Sequence, residues 1–351
     1  MRDIAIVGFA QTPSTRRDLR DDVEMVQSVV STARQQSGIG RHETGFTVSG
    51  SCDFLAGAPF AFVGALDAIG AWPPIRESHV EMDGAFALYE VWVRLMHGDI
   101  DTALVYCFGK SSCGDPAKTA AMQLDPYTLA PLWPDAIALA AMQAQAGLDS
   151  GRFTKRDIAE VVARSRVAAA DNPMAQLRQT AAIEALLDAE MLVDPLHMHD
   201  CPPISDGAAA MVIAAGDAIR RSACERPVYL RSMEHRIDHH APGWRDLSVS
   251  PSTARAGEAA GVHDGKVDFA ELHAPFAHQE IILRQALELG SDVTVNPSGG
   301  ALCANPLMVA GLVRIGDAAA RIMRGEGDRA VAHATSGPCL QHNLVCVLEG
   351  S

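Results

Sequence analysis

Two adjacent glycines in the segment NPSGG, residues 296–300, form the first candidate for chemistry in this sequence. Gly299 and Gly300 have no Cβ, so a ligand can approach their backbone closely and φ can be positive. Their amides, with the N-terminus of the helix predicted to follow, could hold an anionic oxygen. A tight strand-to-helix turn explains the same residues, and the local sequence leaves both interpretations open.

His273, in the segment ELHAPF, is the second candidate, because it ends a predicted strand. Ligand crevices in α/β proteins form at the carboxyl ends of strands. An imidazole there can exchange a proton near neutral pH. A polar cap bonded to the backbone is the more common role of a lone histidine.

The link between the last two predicted strands is the third candidate. Ser336 and Gly337 could offer a hydroxyl and an amide to a thioester oxygen, and His342 follows them closely. Cys339 lies in the same link, but no neighbouring residue in the sequence would activate it as a nucleophile. The alternative interpretation is a plain hairpin connection.

Two carboxylates, Glu81 and Asp83, precede a helix predicted to begin near Gly84. Asp and Glu at this place commonly cap a helix, and we expect that role for at least one of them. A carboxylate that points into a pocket would instead serve as a base with a raised pKa.

The segment HMHDC, residues 197–201, has the residue types of a metal site. A loop before a strand is the simpler interpretation, so we predict no metal here. The eight cysteines include no CxxC pair, which argues against a zinc ribbon or a thioredoxin motif. We expect reduced, mostly buried thiols.

Composition narrows the possible functions. The net charge of −14 argues against a broad nucleic-acid surface, which requires a basic stripe. The sequence has no run of about 18–20 apolar residues that would span a membrane. The start, MRDIAIVGFA, lacks the pattern of a signal peptide, and we predict a cytoplasmic protein.

Strand and helix patterns alternate before residue 110 and again after about residue 226. This alternation predicts a parallel or mixed sheet with helices on both faces. We predict two duplicated halves, residues 1–225 and 226–351. Residues 110–203 are predicted to be a largely helical insertion that covers one end of the sheet. The apolar run 208–215 fits either a buried strand or a helix.

Taken in order, five segments of the chain resemble the thiolase superfamily, in particular its sterol-carrier-protein and lipid-transfer-protein branch. They are IAIVGFAQTP, NPMAQ, DCPPISDGAAAMVIA, ELHAPF and VNPSGGAL. Each is weak alone, but the order covers nearly the whole chain. The resemblance implies an α/β fold, the five-layer αβαβα sandwich of two duplicated halves, and a dimeric or tetrameric assembly.

The departures from that family bear on the chemistry. The family's nucleophilic cysteine has no counterpart in VEMDGA, residues 80–85, and Glu81 falls at or beside its position. The family's activating histidine corresponds to Asn305, and its C-terminal cysteine base to Ser336 or Gly337. His273 is retained. Condensation through an acyl-enzyme needs a thiolate and its base, so we do not expect ordinary thiolase activity.

The sequence is most similar to the nucleophile-free steroid side-chain aldolases, which implies retro-aldol cleavage of a β-hydroxyacyl-CoA. The resemblance assigns proton transfer to His273 and enolate stabilisation to Asn305 and the amides near Gly337. Glu81 or Asp83 is a second acid–base candidate. No bound cofactor is expected, since coenzyme A enters as part of the substrate.

The resemblance also implies partners. These are a second copy of the chain, a protein with an OB-fold and a zinc ribbon, or a second thiolase-like chain. Two further functions stay open: a non-catalytic subunit of a heteromeric acyl-CoA enzyme, and an acyl-CoA- or lipid-binding protein.

Overall fold

A computed structural model describes residues 2–72 and 74–351. Strands and helices alternate along most of this part of the chain. The strands are β1 Ile4–Gln11, β2 Phe46–Gly50, β3 Glu77–Val80, β4 Thr102–Lys110, β5 Met191–Val193, β6 Leu196–His197, β7 Asp206–Ala215, β8 Val228–Ile237, β9 Phe269–Leu272, β10 Thr294–Val295, β11 Arg329–Ser336 and β12 His342–Glu349.

The helices range from one turn to four turns. They are α1 Asp22–Ser37, α2 Asp53–Ala56, α3 Ala61–Ile69, α4 Gly84–His97, α5 Pro116–Met122, α6 Ala136–Asp149, α7 Lys155–Ala169, α8 Ile183–Leu187, α9 Asp217–Arg221, α10 Pro251–Ala260, α11 Ala277–Ala286 and α12 Ala310–Met323. In the described residues, no helix is long and apolar enough to cross a bilayer.

Ten strands form one mixed sheet in the order β10-β9-β11-β12-β8-β1-β7-β4-β2-β3. The strands from residues before 225 occupy one side of this order, and those from residues after 226 occupy the other. Numbered within each half, both sides have the order 3-2-4-5-1 with the same strand directions. The halves meet where β1 pairs with β8, at Ala5 with Tyr229 and Ile6 with Val228.

The core has five layers. Helices α4 and α12 lie between the two halves of the sheet and pack against apolar residues from both. Helix α1 covers the outer face of the first half. Helices α10 and α11 cover the outer face of the second half, with α7 packed on α11. The molecule is thus the predicted α/β sandwich of layers αβαβα.

Burial on both faces explains why the run 208–215 was ambiguous from sequence. Every residue of β7 is buried, so the strand has no polar face and no alternation. Pairing with β1 and β4 on its two sides establishes it as a central strand.

Residues 110–203 reach across to the second half of the chain. Besides the contact of α7 with α11, the Asn172 amide donates to the Ser298 carbonyl at 2.8 Å. The backbone amides of Gln176 and Leu177 both donate to the Cys303 carbonyl at 3.0 Å. The segment therefore packs beside the loop that follows β10.

Several elements differ from the sequence expectation, and three of them are informative. Strand β3 was not predicted, and its four residues are half-buried at the sheet edge. Helix α10 was missed because its buried residues are small, so no large apolar side chains mark its period. The helix that the sequence predicts after the NPSGG loop begins at Ala310, because the residues before it form a turn against the start of α4.

Candidate active site

His273 and Asn305 are brought together from positions 32 residues apart. His273 follows β9, and its backbone amide donates to the His333 carbonyl of β11 at 3.2 Å. Its Nε2 lies 3.2 Å from Oδ1 of Asn305. Both side chains are buried, at 7% and 5% exposure. The pair therefore forms a buried contact at the carboxyl end of the second half-sheet.

The protonation of His273 follows from its two neighbours. The amide of Thr335 donates to Nδ1 at 3.4 Å, so Nδ1 acts as an acceptor. Nε2 then carries the proton and donates to Asn305 Oδ1. Burial lowers the pKa of His273 to about 4, against the opposing effect of the Asn305 hydrogen bond. A neutral ring thus holds the carbonyl end of the Asn305 amide.

The opposite end of Asn305 is a free donor. Its Nδ2 makes no hydrogen bond with any residue that the structure describes. The Asn305 backbone amide donates to Ser205 Oγ at 3.2 Å, which fixes the main chain. An amide held at both its carbonyl and its backbone, with its NH₂ unpaired, is suited to donate to a substrate oxygen.

The NPSGG loop is stabilised by a buried network. Ser298 donates to Glu271 from its backbone amide at 2.9 Å and from its hydroxyl at 2.7 Å. Arg314, 2% exposed, donates to Glu271 Oε2 at 3.1 Å and to Ser298 Oγ at 2.6 Å. Burial raises the pKa of Glu271 to about 7, and Arg314 opposes this shift. The network positions the loop next to His273.

Gly299 and Gly300 are explained by this loop's own geometry. Their φ values are +99° and +65°. A Cβ on Gly299 would lie 2.6 Å from the Cβ of Ala169 in α7. The Gly299 amide donates to the Asn296 carbonyl, and the Gly300 amide donates to Ser298 Oγ. Both amides are already paired, so the turn interpretation describes them and the expected oxyanion role does not.

Asp83 caps two helices at once. Its carboxylate accepts the amide of Ala85 in α4 at 2.9 Å and the amides of Gly311 and Leu312 in α12 at 2.9 and 3.0 Å. Burial raises its pKa, and the three amides oppose this shift. The carboxylate is fully engaged by backbone, so of the two acidic candidates Asp83 is the cap.

Glu81 has a different environment. It is half-exposed and accepts the Asp53 amide at 2.6 Å through Oε1. Its Oε2 lies 3.2 Å from His79 Nε2, and His79 Nδ1 lies 2.9 Å from Ser49 Oγ. The ring of His79 stacks on Phe62 at 4.3 Å. Glu81 is therefore held in place while one side of its carboxylate stays accessible.

A cavity of about 230 Å³ lies at the carboxyl ends of β2 and β4. Glu81, His273 and Asn305 do not line it, but its lining residue Cys52 is a neighbour of Glu81. Cys52, which lines it, has its pKa raised by burial and further by the Glu81 carboxylate next to it. A Cβ on Gly109, another lining residue, would meet the Leu307 carbonyl at 2.0 Å. The loop that carries Asn305 and Leu307 therefore packs against Gly109, which lines the same cavity as Cys52. Other lining residues are Asp22, Ser51, Phe108, Lys110 and Cys113.

Ser336, Gly337 and His342 lie around the turn between β11 and β12. Ser336 and His342 pair at the end of the ladder, and Gly337 has a φ of +75°. The ring of His342 stacks on His235 at 5.6 Å, and burial lowers its pKa. Ser336 and Gly337 are thus one and two positions beyond Thr335, which contacts His273 directly.

Sequence reasoning missed the supporting residues. Ser205 and Arg314 hold the Asn305 and Ser298 segments, and His79 orients Glu81. In the sequence, Ser205 is an ordinary loop serine and Arg314 an ordinary helical arginine, so neither indicates a functional site. His79 lies two residues before Glu81, but only the parallel pairing of β3 with β2 places it against Ser49.

Curated relatives match parts of the chain. The acetyl-CoA acetyltransferase of Methanothermobacter thermautotrophicus is 27% identical over 59% of this chain and 59% of its own length. The benzoylsuccinyl-CoA thiolase subunit BbsB of Thauera aromatica is 24% identical over 58% and 60%. Rabbit sterol carrier protein 2 is 23% identical over 50% of this chain and 36% of its own length. The match thus spans less than two thirds of each of these relatives, and no family model matches.

Solved structures resemble the chain over its full length. The structure of the Ltp2-ChsH2(DUF35) aldolase superposes with a TM-score of 0.81 at 18% identity, covering 99% of this chain and 97% of that one. Human mitochondrial 3-ketoacyl-CoA thiolase gives a TM-score of 0.78 at 13% identity, covering 100% and 99%. The fold is therefore the thiolase fold. With the sequence relatives, it confirms the predicted kinship to the thiolase superfamily and its sterol-carrier relatives.

Proposed function

We propose that the protein is a thiolase-fold carbon–carbon lyase that cleaves a β-hydroxyacyl-CoA by a retro-aldol reaction, without an acyl-enzyme. The observation that carries this proposal is the buried His273–Asn305 pair with its unpaired Asn305 Nδ2. Glu81 stands where the resemblance places the family's nucleophile. The site thus keeps a donor for a thioester oxygen and has a carboxylate in place of the thiolate.

The chemistry divides between these residues. Glu81 takes the proton of the substrate's β-hydroxyl, the Cα–Cβ bond breaks, and its electron pair moves to the thioester as an enolate. The carbonyl product forms at the former β-carbon, and the proton that Glu81 took is returned to Cα, directly or through water, which completes the shortened acyl-CoA. Asn305 Nδ2 donates to the enolate oxygen, a contact typically worth about 3–4 kcal/mol of barrier. His273 orients Asn305, which is a different task from the proton transfer first expected of it.

A large acyl group would require a second protein chain to complete its binding site. The cavity of about 230 Å³ is smaller than the roughly 300–1,000 Å³ of pockets that enclose drug-sized ligands. It is also not lined by Glu81 or Asn305, so we propose that a steroid-bearing acyl chain lies largely against a second protein chain. The Ltp2-ChsH2(DUF35) aldolase is named for two components, and BbsB is named as a thiolase subunit. A heteromer in the cytoplasm is our working assembly.

A non-catalytic subunit is the second candidate. The paired amides of Gly299 and Gly300 and the capping role of Asp83 remove three of the expected catalytic contributions from this chain. A subunit that completes the site of a second thiolase-like chain would show the same losses. This function predicts stable association but no turnover that depends on Glu81 or Asn305.

The test uses the chain alone and together with OB-fold and thiolase-like partners. Each preparation is incubated with a β-hydroxyacyl-CoA that carries a steroid ring, and mass spectrometry follows the ketone or aldehyde and the shortened acyl-CoA. We expect cleavage that Glu81→Gln abolishes and that Glu90→Gln, a surface control on α4, leaves unchanged. Association without cleavage in any combination would establish the subunit function instead.

A further inference from the structure

A cluster of two histidines and an aspartate lies outside the candidate active site, at the end of the 110–203 segment. His197 ends β6, and His199 and Asp200 lie in the single turn that follows. One ligand atom from each of these three residues lies within 4.8 Å of the other two. His197 is 6% exposed and Asp200 is 1% exposed, so the cluster is part of the interior.

Hydrogen bonds within the cluster use only some of its polar atoms. Asp200 Oδ2 accepts the His197 backbone amide at 2.7 Å and lies 3.0 Å from His197 Nδ1. His197 Nε2, His199 Nε2 and Asp200 Oδ1 are buried and make no hydrogen bond with any described residue. Three buried polar atoms without partners in one place are costly, unless a ligand satisfies them.

The chemistry of the unpartnered atoms matches a cation. His199 Nε2 and Asp200 Oδ1 are 3.5 Å apart, and no hydrogen bond joins them. Two imidazoles and one carboxylate are the ligands of zinc and related divalent transition metals.

We propose that His197, His199 and Asp200 bind a divalent transition-metal ion, with zinc as the best fit. The rings of His197 and His199 are stacked, with their centroids 5.0 Å apart and an interplanar angle of 9°. One ring must therefore tilt for both nitrogen lone pairs to point at the ion. His199 has the freedom to do so, since its side chain is 16% exposed. The proposal replaces the interpretation of this segment as a plain loop.

Neighbouring groups define the limits of the site. The Cys201 thiol donates to the His197 carbonyl at 3.5 Å and is not part of the cluster. Arg166 lies near His199 and opposes a cation, while the Asp200 carboxylate favours one. A water molecule would complete a four-coordinate site. The ion would fix the loop that leads to Ser205, which holds the Asn305 backbone.

Metal titration of the intact protein tests the proposal without an activity assay. Protein stripped with a chelator is titrated with Co²⁺, followed by its visible absorption, and then with Zn²⁺ by calorimetry. We expect one equivalent of Co²⁺ that Zn²⁺ displaces, and a thermal midpoint that rises with bound Zn²⁺. The matched control is His239→Gln, because His239 also stacks on a neighbouring histidine, at 4.4 Å, but has no carboxylate partner among the described residues.

The decisive variant is His199→Gln, since the more buried His197 and Asp200 are riskier for folding. His199→Gln should bind Zn²⁺ at least about 100-fold more weakly than the wild type, because it loses one of three ligands. His239→Gln should bind Zn²⁺ as the wild type does. Wild-type protein that takes up no single equivalent, or His199→Gln that binds unchanged, would overturn the proposal. If the variants do not fold, the wild-type stoichiometry and its Zn²⁺-dependent midpoint decide alone.

Discussion

Asn305 is the side chain on which the proposed chemistry depends most. Its carbonyl is held by a neutral histidine and its backbone by Ser205, so the NH₂ group is directed without being used. Hydrogen-bond donors that are fixed in advance stabilise developing negative charge better than mobile ones, because they need no reorganisation. The arrangement explains why a histidine with a pKa of about 4 is useful here although it is a weak base.

We predict that Asn305→Ala lowers kcat by about 10²–10³-fold with little change in KM, because the lost donor acts on the enolate and not on bound substrate. His273→Phe should lower kcat less, since Asn305 stays but loses its orientation. Steady-state kinetics with the cleaved β-hydroxyacyl-CoA measures both. A raised KM with unchanged kcat in Asn305→Ala would assign the residue to ground-state binding.

Buried histidines also predict the dependence of stability on pH. Burial lowers the pKa of His278 and His333 to about 3, and that of His273 to about 4, from an ordinary value of 6.5. Between these values the unfolded chain binds more protons, so stability is fully present above pH 6.5 and falls as the pH drops through this window.

The contribution of one histidine can be isolated with His278→Gln. This variant should lose up to about 1.4 kcal/mol per pH unit of the slope between pH 6.5 and 4. His263→Gln, at an exposed position, should keep the wild-type slope. Urea unfolding at a series of pH values measures the slopes. Equal slopes for His278→Gln and wild type would mean that His278 is already protonated when folded.

Helices α4 and α12 are organised by a single carboxylate. Their N-termini meet in the middle layer, where their first amides have no helical partner. Asp83 accepts one amide from α4 and two from α12, so one side chain completes both helix starts. A neighbouring hydrogen bond, from the Gly84 amide to the Met308 carbonyl at 2.9 Å, fixes the turn that follows Asn305 relative to the start of α4.

We predict that Asp83→Ala destabilises the protein by about 2–4 kcal/mol, because it leaves three buried amides unpaired. The matched control is Asp115→Ala, an exposed cap of α5 that accepts one amide, which should cost about 0.5–1 kcal/mol. Chemical denaturation gives both values. Similar losses for the two variants would argue against the shared cap.

The two halves of the chain have the same topology but do not have separate cores. The middle layer draws apolar residues from strands of both halves, and α4 packs on α12 across the boundary. Residues 110–203, which belong to the first half in sequence, pack on the second. The duplication is therefore visible in strand order, while stability is a property of the whole chain.

Expression of residues 1–225 and 226–351 as separate fragments tests this view. Each alone should lack cooperative unfolding, because it would expose the apolar face that the other covers. Mixing the fragments should restore a single transition. Circular dichroism during thermal unfolding measures this. A cooperative transition in either fragment alone would show an independent domain.

Local patterns were sufficient for much of the architecture. The alternation of helical and strand patterns, as in α1, α4, β1 and β4, predicted a parallel or mixed sheet with helices on both faces. The thiolase-like sandwich was implied by the resemblance that the order of the motifs carries. These features depend on which residues face a core, and a hydrophobic pattern records that directly. Helix α10 shows the limit, since small buried residues leave no period to detect.

The assignment of roles at the site required the three-dimensional structure. Asp83 and Glu81 are two residues apart and both are acidic. The Asp83 carboxylate accepts amides from a helix more than 220 residues away, whereas Glu81 accepts the amide of Asp53 and keeps one side accessible. The sequence also could not show that the amides of Gly299 and Gly300 are hydrogen-bonded or that Asn305 Nδ2 is not. Hydrogen-bond satisfaction depends on neighbours that are distant in sequence, so residue order names the candidates and only packing shows which of them remain free to act.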